Sequence, residues 1–295
     1  SALVVASLVF LLPLLAGNNQ ETDIAAIRTL NEMDLEQMKT EIAAKGWTFE
    51  VGIDPGVGHA NLHKIYQADL SKIKLPAAET YGEQISNVKL PRVYSCISTP
   101  VVNQGTCSAW PFASNAMFES LILLKDNVTV RLSEGWLLEC NPYGWDCSDG
   151  WFASDIFFRD GAVLAADFPP GTSCDDAVIS YQASSWRFCR NGYSVASTQS
   201  IKNAIVDYGS VACLVYVDTY FQYYTGGVFN ATTEGNINHF VTICGWDDLK
   251  GAWRIKNSWG TSWGENGYMW IAYGCHDIGW AANYLIYEGS IGKLY

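Results

Sequence analysis

The sequence predicts an α+β fold in which a helix-rich half precedes a strand-rich half. A strong helical stretch covers residues 110–124, and strand-like runs punctuated by Gly and Asp dominate after Val211. The clearest of these runs are residues 212–217, 239–244, 252–255 and 268–272. Helices that are segregated from strands along the chain are typical of the α+β class.

The composition indicates a folded chain with an acidic charge balance. Its 295 residues are 49% hydrophobic and 16% charged, which provides enough apolar material for a sizeable core and excludes a disordered chain. The formal net charge is -12, and no run of Lys or Arg could neutralise a phosphate backbone. Nucleic acid is therefore not an expected partner.

Residues 1–17 form an almost unbroken apolar run, with the length and texture of the hydrophobic region of a secretory signal sequence. A basic segment before the run is missing, so a retained hydrophobic anchor that contacts a membrane is the alternative. Pro13 interrupts the run, which is short of the roughly 17 to 25 residues that span a bilayer. We therefore expect a signal sequence and a secretory destination, which is secreted, lysosomal or vacuolar, or membrane-associated.

Two acceptor triplets for N-linked glycosylation accompany this secretory signal. They begin at Asn127 and Asn230 and read Asn-Val-Thr and Asn-Ala-Thr. An oxidising compartment also makes disulfides the expected state of most of the nine cysteines, and the odd count leaves at least one thiol over.

Residues 18–90 have helical character and contain no catalytic or ligand-binding motif. Between residues 22 and 45, apolar side chains recur at roughly helical spacing among charged ones, which predicts one amphipathic helix. The apolar positions are Ile24, Ile27, Leu30, Met33, Leu35, Met38 and Ile42. A second, short helical segment is predicted over residues 62–75.

Three segments after Pro91 carry residues suited to covalent cysteine catalysis. That chemistry needs a thiolate at a helix N-terminus, a histidine that takes its proton, a group that orients the histidine, and donors that face the developing oxyanion. The segments read QGTCSAWPFAS from Gln104, NHFV from Asn238 and KNSWGTSWGENGY from Lys256. Every part is present except the thiolate.

These segments resemble the active site of papain-like, or cathepsin-type, cysteine peptidases. His239 and Asn257 follow Ala109 by roughly 130 and 150 residues, which is the spacing of the papain-like histidine and asparagine. The resemblance implies a two-lobed papain-like fold, with a helical left lobe and an antiparallel, barrel-like β right lobe, preceded by a helical prosegment. It divides the chain into a signal or anchor (1–17), an inhibitory prosegment (18–90) and a peptidase domain (91–295).

The resemblance also implies a role for each matching residue. His239 would be the general base, Asn257 would hold its imidazole, and Trp259 would shield the pair. Gln104 would donate to the oxyanion. Gly150, in a stretch from Leu132 to Gly150 that is similar to the family's second helix and substrate-binding turn, would offer its backbone to an extended polypeptide. The prosegment would occlude the cleft, and neither a cofactor nor a metal is implied.

The nucleophile position departs from the family pattern. Aligning on Trp110 and Phe112 puts Ala109 where the catalytic cysteine should be, and one residue is missing between Cys107 and that position. A methyl group cannot attack a carbonyl, so this chain is not expected to hydrolyse peptides. Ser108 is a poor substitute, because it points about 100° away around a helix and its hydroxyl is far harder to deprotonate. Cys107 would have to give up its expected disulfide.

Three functions remain open from the sequence. The first is a natural pseudo-peptidase with a binding or structural role. The second is the zymogen of an active endopeptidase whose cysteine was replaced to give Ala109. The third is a membrane-anchored, non-catalytic subunit of a larger assembly.

The resemblance pairs Cys107 with Cys147, and Cys140 with either Cys174 or Cys189. The remaining cysteines are interpreted from their surroundings alone. Cys213 and Cys244 are expected to be free because they lie in apolar strand runs, where a thiol behaves as a small hydrophobe. Cys96 and Cys275 have no predicted partner.

Overall fold

The computed structural model of the protein describes residues 34–53, 89–95, 97–190 and 192–290. The chain divides into two units, Ser1–Lys45 and Gly46–Tyr295. In the first unit residues 34–45 are helical, and Leu35, Met38 and Ile42 are buried at the predicted spacing. The amphipathic helix is therefore confirmed for its described part.

Other predictions for the N-terminal region lie outside the described residues. These are the apolar run of residues 1–17, the first part of the amphipathic helix and the helical segment over residues 62–75. Among the residues that the structure does describe, no helix combines the length and the apolarity needed to cross a membrane.

The second unit contains five α-helices and eleven strands in its described part. The helices are α1 (Trp110–Asp126), α2 (Glu134–Cys140), α3 (Ser154–Arg159), α4 (Thr198–Tyr208) and α5 (Thr219–Gln222). The strands are β1 (Thr48–Val51), β2 (Val93–Tyr94), β3 (Ala162–Val163), β4 (Ile179–Tyr181), β5 (Ser185–Phe188), β6 (Val211–Val215), β7 (Tyr224–Phe229), β8 (His239–Asp247), β9 (Ala252–Lys256), β10 (Tyr268–Ala272) and β11 (Trp280–Ile286). Three 3₁₀ turns, at Ala165–Asp167, Cys174–Asp176 and Cys275–Asp277, complete the described elements.

Helix α1 begins and ends where its sequence requires. Pro111 lies in the first turn, where the N–H that it lacks would have no partner inside the helix. Asn127 ends the helix in the left-handed conformation, with φ of 55°, and its N–H donates to Leu123 O over 3.1 Å. Most side chains between these ends are buried, so α1 is a core helix. The helix predicted over residues 110–124 is confirmed.

The large sheet has the strand order β1-β7-β10-β9-β8-β6-β11-β5, with β2 paired to β8. Most neighbours are antiparallel, as the resemblance implied. Strands β7 and β10 are an exception because they run parallel. The predicted barrel-like lobe is thus not wholly antiparallel.

Strand β1 comes from the segment predicted to be the prosegment. It pairs antiparallel with β7, with Thr48 opposite Val228. Its buried Phe49 packs on Phe229, with ring centroids 4.6 Å apart, and Trp47 meets Tyr220 edge-on at 5.1 Å. Part of the predicted prosegment is therefore an edge strand of this sheet.

Helices α1, α2 and α3 pack on the sheet through one apolar core. Phe118 and Leu121 of α1, Leu137 of α2 and Phe157 of α3 are buried in the same cluster as Phe240 of β8. The hydroxyl of Thr242 donates to Ala113 O over 3.2 Å and so joins β8 to the first turns of α1. This hydrogen bond and the shared core join α1 to β8. They therefore connect the helix that follows Ala109 to the strand that begins with His239.

The described part of the chain contains both of the disulfides that the resemblance implied. Cys107 is bonded to Cys147, with Cα atoms 4.4 Å apart, and Cys140 is bonded to Cys174. Of the two partners proposed for Cys140, Cys189 is instead a free, buried thiol.

The strand cysteines behave differently from each other. Cys213 is free and buried, as predicted, whereas Cys244 is disulfide-bonded, so its assignment as a free thiol was wrong. An apolar strand buries a thiol and a half-cystine equally well, which is why the pattern could not separate them. Cys275 is also free.

Candidate active site

The loop before α1 is fixed at both ends by main-chain and side-chain contacts. Gln104 N donates to Ser258 O over 2.8 Å, and the Ser258 hydroxyl donates back to Gln104 Oε1 over 2.5 Å. Gln104 Nε2 donates to Cys107 O over 2.7 Å, and Ser108 N donates to Cys147 O over 2.8 Å. The loop is therefore held between the segment after Asn257 and the disulfide.

His239 and Asn257 form a buried pair. His239 begins β8 and Asn257 directly follows β9, and the ring Nε2 lies 2.9 Å from Asn257 Oδ1. Because that oxygen can only accept, Nε2 carries the hydrogen and Nδ1 holds the lone pair of the neutral ring. Ser258 N also donates to Asn257 Oδ1 over 2.8 Å, which fixes the amide. Asn257 thus sets both the tautomer and the orientation of the imidazole.

An aromatic group covers this pair. The ring centroid of Trp259 lies 4.8 Å from that of His239, with the planes tilted by 33°. Trp259 in turn packs edge-on against Trp263, at 5.0 Å, and Phe221, at 5.9 Å. Trp259 therefore contacts the imidazole of this pair.

Burial decides the protonation state of His239. The residue is 1% exposed, and removal from water lowers the pKa of its imidazole to about 4, against the opposing effect of the hydrogen bond with Asn257. Among the described residues, no carboxylate contributes to the pKa of this ring. The imidazole is therefore neutral at physiological pH.

Ala109 lies at the helix end of the site. It is the N-cap of α1, it is 2% exposed, and its carbonyl accepts from Ala113 N over 3.0 Å. The side chain of Ala109 makes no capping hydrogen bond. The position offers a methyl group where the partial positive charge of a helix N-terminus would stabilise a thiolate.

Gly150 lies against the first residue of α1. A Cβ at this position would come within 2.3 Å of the indole Nε1 of Trp110, which itself donates to Asp146 O over 2.9 Å. Only glycine fits this close approach. The turn that contains Gly150 is thus packed directly onto the start of α1.

Sequence reasoning missed a buried ionic network behind the pair. Glu119 of α1 accepts from Leu132 N over 2.8 Å and from the Thr99 hydroxyl over 2.5 Å, and Lys256 Nζ donates to Thr99 Oγ1 over 3.1 Å. Burial raises the pKa of Glu119 and lowers the pKa of Lys256 to about 8. Lys256 directly precedes Asn257, so this network anchors the end of β9. In the sequence, the one signal for this network is the position of Lys256 beside the Asn257 motif.

The described residues offer no group of three His, Cys, Asp or Glu side chains that could hold a metal ion. The two glycosylation triplets differ in exposure. Asn127 is exposed, whereas Asn230 is half-buried and its Oδ1 accepts from Thr48 N of β1 over 2.9 Å.

A comparison with protein families matches residues 89–287 to the description "Papain family cysteine protease". The chain belongs to the papain family. The matched range begins close to the predicted start of the peptidase domain and includes both His239 and Asn257.

Relatives among the curated proteins match about 60% of the chain. The chain is 35% identical over 190 residues to gamete and mating-type specific protein A of Dictyostelium discoideum, which covers 60% of this chain and 41% of that protein. It is 30% identical over 185 residues to cathepsin K of Mus musculus, covering 59% and 56%. The chain thus spans about half the length of the curated relatives that it matches.

Solved precursor structures match most of the chain and show its fold. Procathepsin L2 from the larval midgut of Tenebrio molitor is 21% identical with a TM-score of 0.77, and it covers 93% of this chain and 95% of its own. The stem bromelain precursor is 23% identical with a TM-score of 0.76, covering 94% and 95%. The predicted two-lobed papain-like fold with its prosegment is therefore confirmed as a fold.

Proposed function

We propose that this chain is a papain-family homologue that does not hydrolyse peptides and that uses the cleft of this fold to bind a polypeptide. One observation carries the proposal. Ala109 caps the helix that begins with Trp110, and the resemblance assigns the nucleophile to that position. With a methyl group there, no covalent intermediate can form.

The residues around that position support binding rather than chemistry. The pair of His239 and Asn257 is complete, and Gln104 is fixed beside it through Ser258. Gly150, to which the resemblance assigns the backbone contact with substrate, packs against Trp110 at the start of the same helix. These groups suit an extended polypeptide, either a protein partner or the chain's own prosegment, of which β1 already lies on the sheet.

A secretory destination belongs to the same proposal. The two described disulfides fit an oxidising compartment, in agreement with an N-terminal signal sequence over residues 1–17 and with the acceptor triplets at Asn127 and Asn230. Retention of residues 1–17 as a membrane anchor is supported by no observation among the described residues.

The zymogen of an active endopeptidase is a second candidate, and one observation favours it. His239 is held by Asn257, and Gln104 is fixed in the loop before α1. A protein that only binds peptides does not need a histidine oriented in this way, whereas an endopeptidase does. The native gene separates the two functions, because the endopeptidase requires a cysteine codon where Ala109 is found.

The restoring variant Ala109→Cys tests the proposal, with Ser108→Cys as the matched control one residue away in the same loop. Two measurements are made on each full-length protein: hydrolysis of labelled casein, and the pKa of His239 from an NMR titration. If position 109 faces His239, a thiolate there raises the pKa of His239, because an opposite charge favours the imidazolium. Ser108→Cys should leave that pKa unchanged.

Wild-type protein that hydrolyses casein, and loses this activity in His239→Gln, would overturn the proposed loss of catalysis. An unchanged pKa of His239 in Ala109→Cys would show that the two positions do not form a pair. Since the titration needs no substrate, it is informative even where the prosegment covers the cleft.

A further inference from the structure

One cavity is lined by none of the candidate active-site residues. It has a volume of about 820 Å³ and is lined by two loops, residues 230–236 and 272–277, together with Tyr216 at the end of β6. This volume falls within the roughly 300 to 1,000 Å³ of small-ligand sites. The proposed peptide-binding function does not use it.

The lining of this cavity is polar and aromatic. It offers the hydroxyl of Thr232, the amide of Asn236, the carboxylates of Glu234 and Asp277, and the ring of Tyr216. Such groups satisfy the hydroxyls of a sugar, which both donate and accept hydrogen bonds. With the exception of a buried histidine, the described lining residues include no basic side chain, which disfavours an anionic ligand.

The loops are held in place before any ligand arrives. His276, in the left-handed conformation, is buried, with Nδ1 3.0 Å from Tyr216 O and Nε2 2.9 Å from Thr233 Oγ1. Thr233 Oγ1 also lies 2.5 Å from Asp218 Oδ2, and the ring of Phe229 packs edge-on against His276 at 4.9 Å. These contacts join the two loops across the floor of the cavity, so the cavity is preformed.

One acceptor triplet opens into this cavity. Both Asn230 and Thr232 line it. The side-chain oxygen of Asn230 accepts from Thr48 N over 2.9 Å, and no described residue accepts a hydrogen bond from its Nδ2. N-glycosylation uses that nitrogen and leaves the oxygen as an acceptor, so the contact with β1 can persist in the modified chain.

We propose that Asn230 carries an N-linked glycan whose inner sugars lie in this cavity. The donor is an oligosaccharide on a polyprenyl diphosphate. The bond from sugar C1 to Asn230 Nδ2 forms, the bond from C1 to the diphosphate oxygen breaks, and the polyprenyl diphosphate leaves as one amide proton is released.

The covalent link explains why an open, polar cavity can hold a sugar. A free sugar would have to offset the cost of lost translational freedom with a few hydrogen bonds at a wet surface. A sugar that is tethered to Asn230 binds within the same molecule, at an effective concentration in the millimolar range for a short link. Weak contacts to Asn236, Glu234 and Tyr216 are then sufficient.

The test uses the full chain secreted from a eukaryotic host, with Asn127 as the internal control. Asn127 is exposed at the end of α1, outside any described cavity. Glycopeptide mapping gives the occupancy of each triplet, and peptide N-glycosidase is applied to the native protein. Release from Asn230 should be at least about tenfold slower than release from Asn127, which corresponds to about 1.4 kcal/mol of contact. Both glycans should leave at similar rates after denaturation.

The variant Asn236→Ala removes one exposed contact and should accelerate release from Asn230 without changing release from Asn127. Thr232→Ala and Thr129→Ala remove one triplet each and assign the two glycans. An unmodified Asn230 overturns the proposal whatever the state of Asn127. Equal rates of release from Asn230 and Asn127 in the native protein would show that the glycan of Asn230 does not lie in the cavity and is an ordinary surface glycan. That result would also overturn the proposal.

Discussion

Acid should destabilise this protein through His239. A histidine in an unfolded chain has a pKa of about 6.5, whereas burial lowers that of His239 to about 4. The folded state therefore favours the neutral ring. The stabilisation that comes from keeping His239 neutral is fully present in the free energy of unfolding above about pH 6.5. It is lost as the pH falls toward 4, and it amounts to about 3 kcal/mol between pH 7.5 and pH 4.

The variant His239→Gln isolates this contribution, because glutamine does not titrate but can still donate to Asn257. The free energy of unfolding is measured in urea for both proteins at several pH values between 7.5 and 4. Carboxylates and the buried His276 titrate in both proteins, so they cancel in the difference. We expect wild type to lose about 3 kcal/mol more than the variant over this range.

A difference that stays constant with pH would refute the reasoning, because it would mean that His239 is protonated as easily in the folded as in the unfolded state. An NMR titration of wild type checks the same point without a variant. The His239 ring should remain neutral down to about pH 4 while the protein stays folded.

Three further perturbations address packing and covalent structure. Gly150→Ala should lower the free energy of unfolding by about 1–3 kcal/mol, because its Cβ would overlap Trp110, whereas Gly135→Ala, within α2 and without such overlap, should not destabilise. Phe49→Ala should cost about 3–5 kcal/mol or release β1, which limited proteolysis with mass spectrometry detects as new cleavage at residues 48–51. Cys107→Ser opens a bridge between residues 40 apart and should lower stability by about 2–4 kcal/mol, measured by urea unfolding. Wild-type stability in Gly150→Ala, Phe49→Ala or Cys107→Ser would contradict the contact that the variant removes or the overlap that it creates.

Elements with a strong local signal could be predicted from the sequence. Helix α1 was predicted over residues 110–124 and covers Trp110–Asp126, because a proline at its start and an apolar body are local features. Strand β10 was predicted over its whole length, residues 268–272. In contrast, the parallel pairing of β7 with β10 depends on which strands meet in the folded chain, and no local pattern encodes it.

The candidate site shows the same division. His239 and Asn257 were selected from two motifs, and the structure adds their 2.9 Å contact. Ser258, which locks Gln104 to this pair, has no signal of its own because a serine becomes a bridge only when a distant loop reaches it. Disulfide bonding of Cys244 was likewise missed, since an apolar strand accommodates either state.

The sequence by itself determined the chemical inventory of this protein: an acidic chain with the histidine and asparagine motifs of the papain family, and an alanine at the position where the resemblance predicts the nucleophile. Only the tertiary structure decided the burial of His239, and therefore the low pKa of its imidazole. It also decided that Asn230 opens into a preformed cavity. The reason is physical: burial and cavity shape arise from contacts between residues far apart in the chain, whereas a residue's reactivity is set by its own atoms.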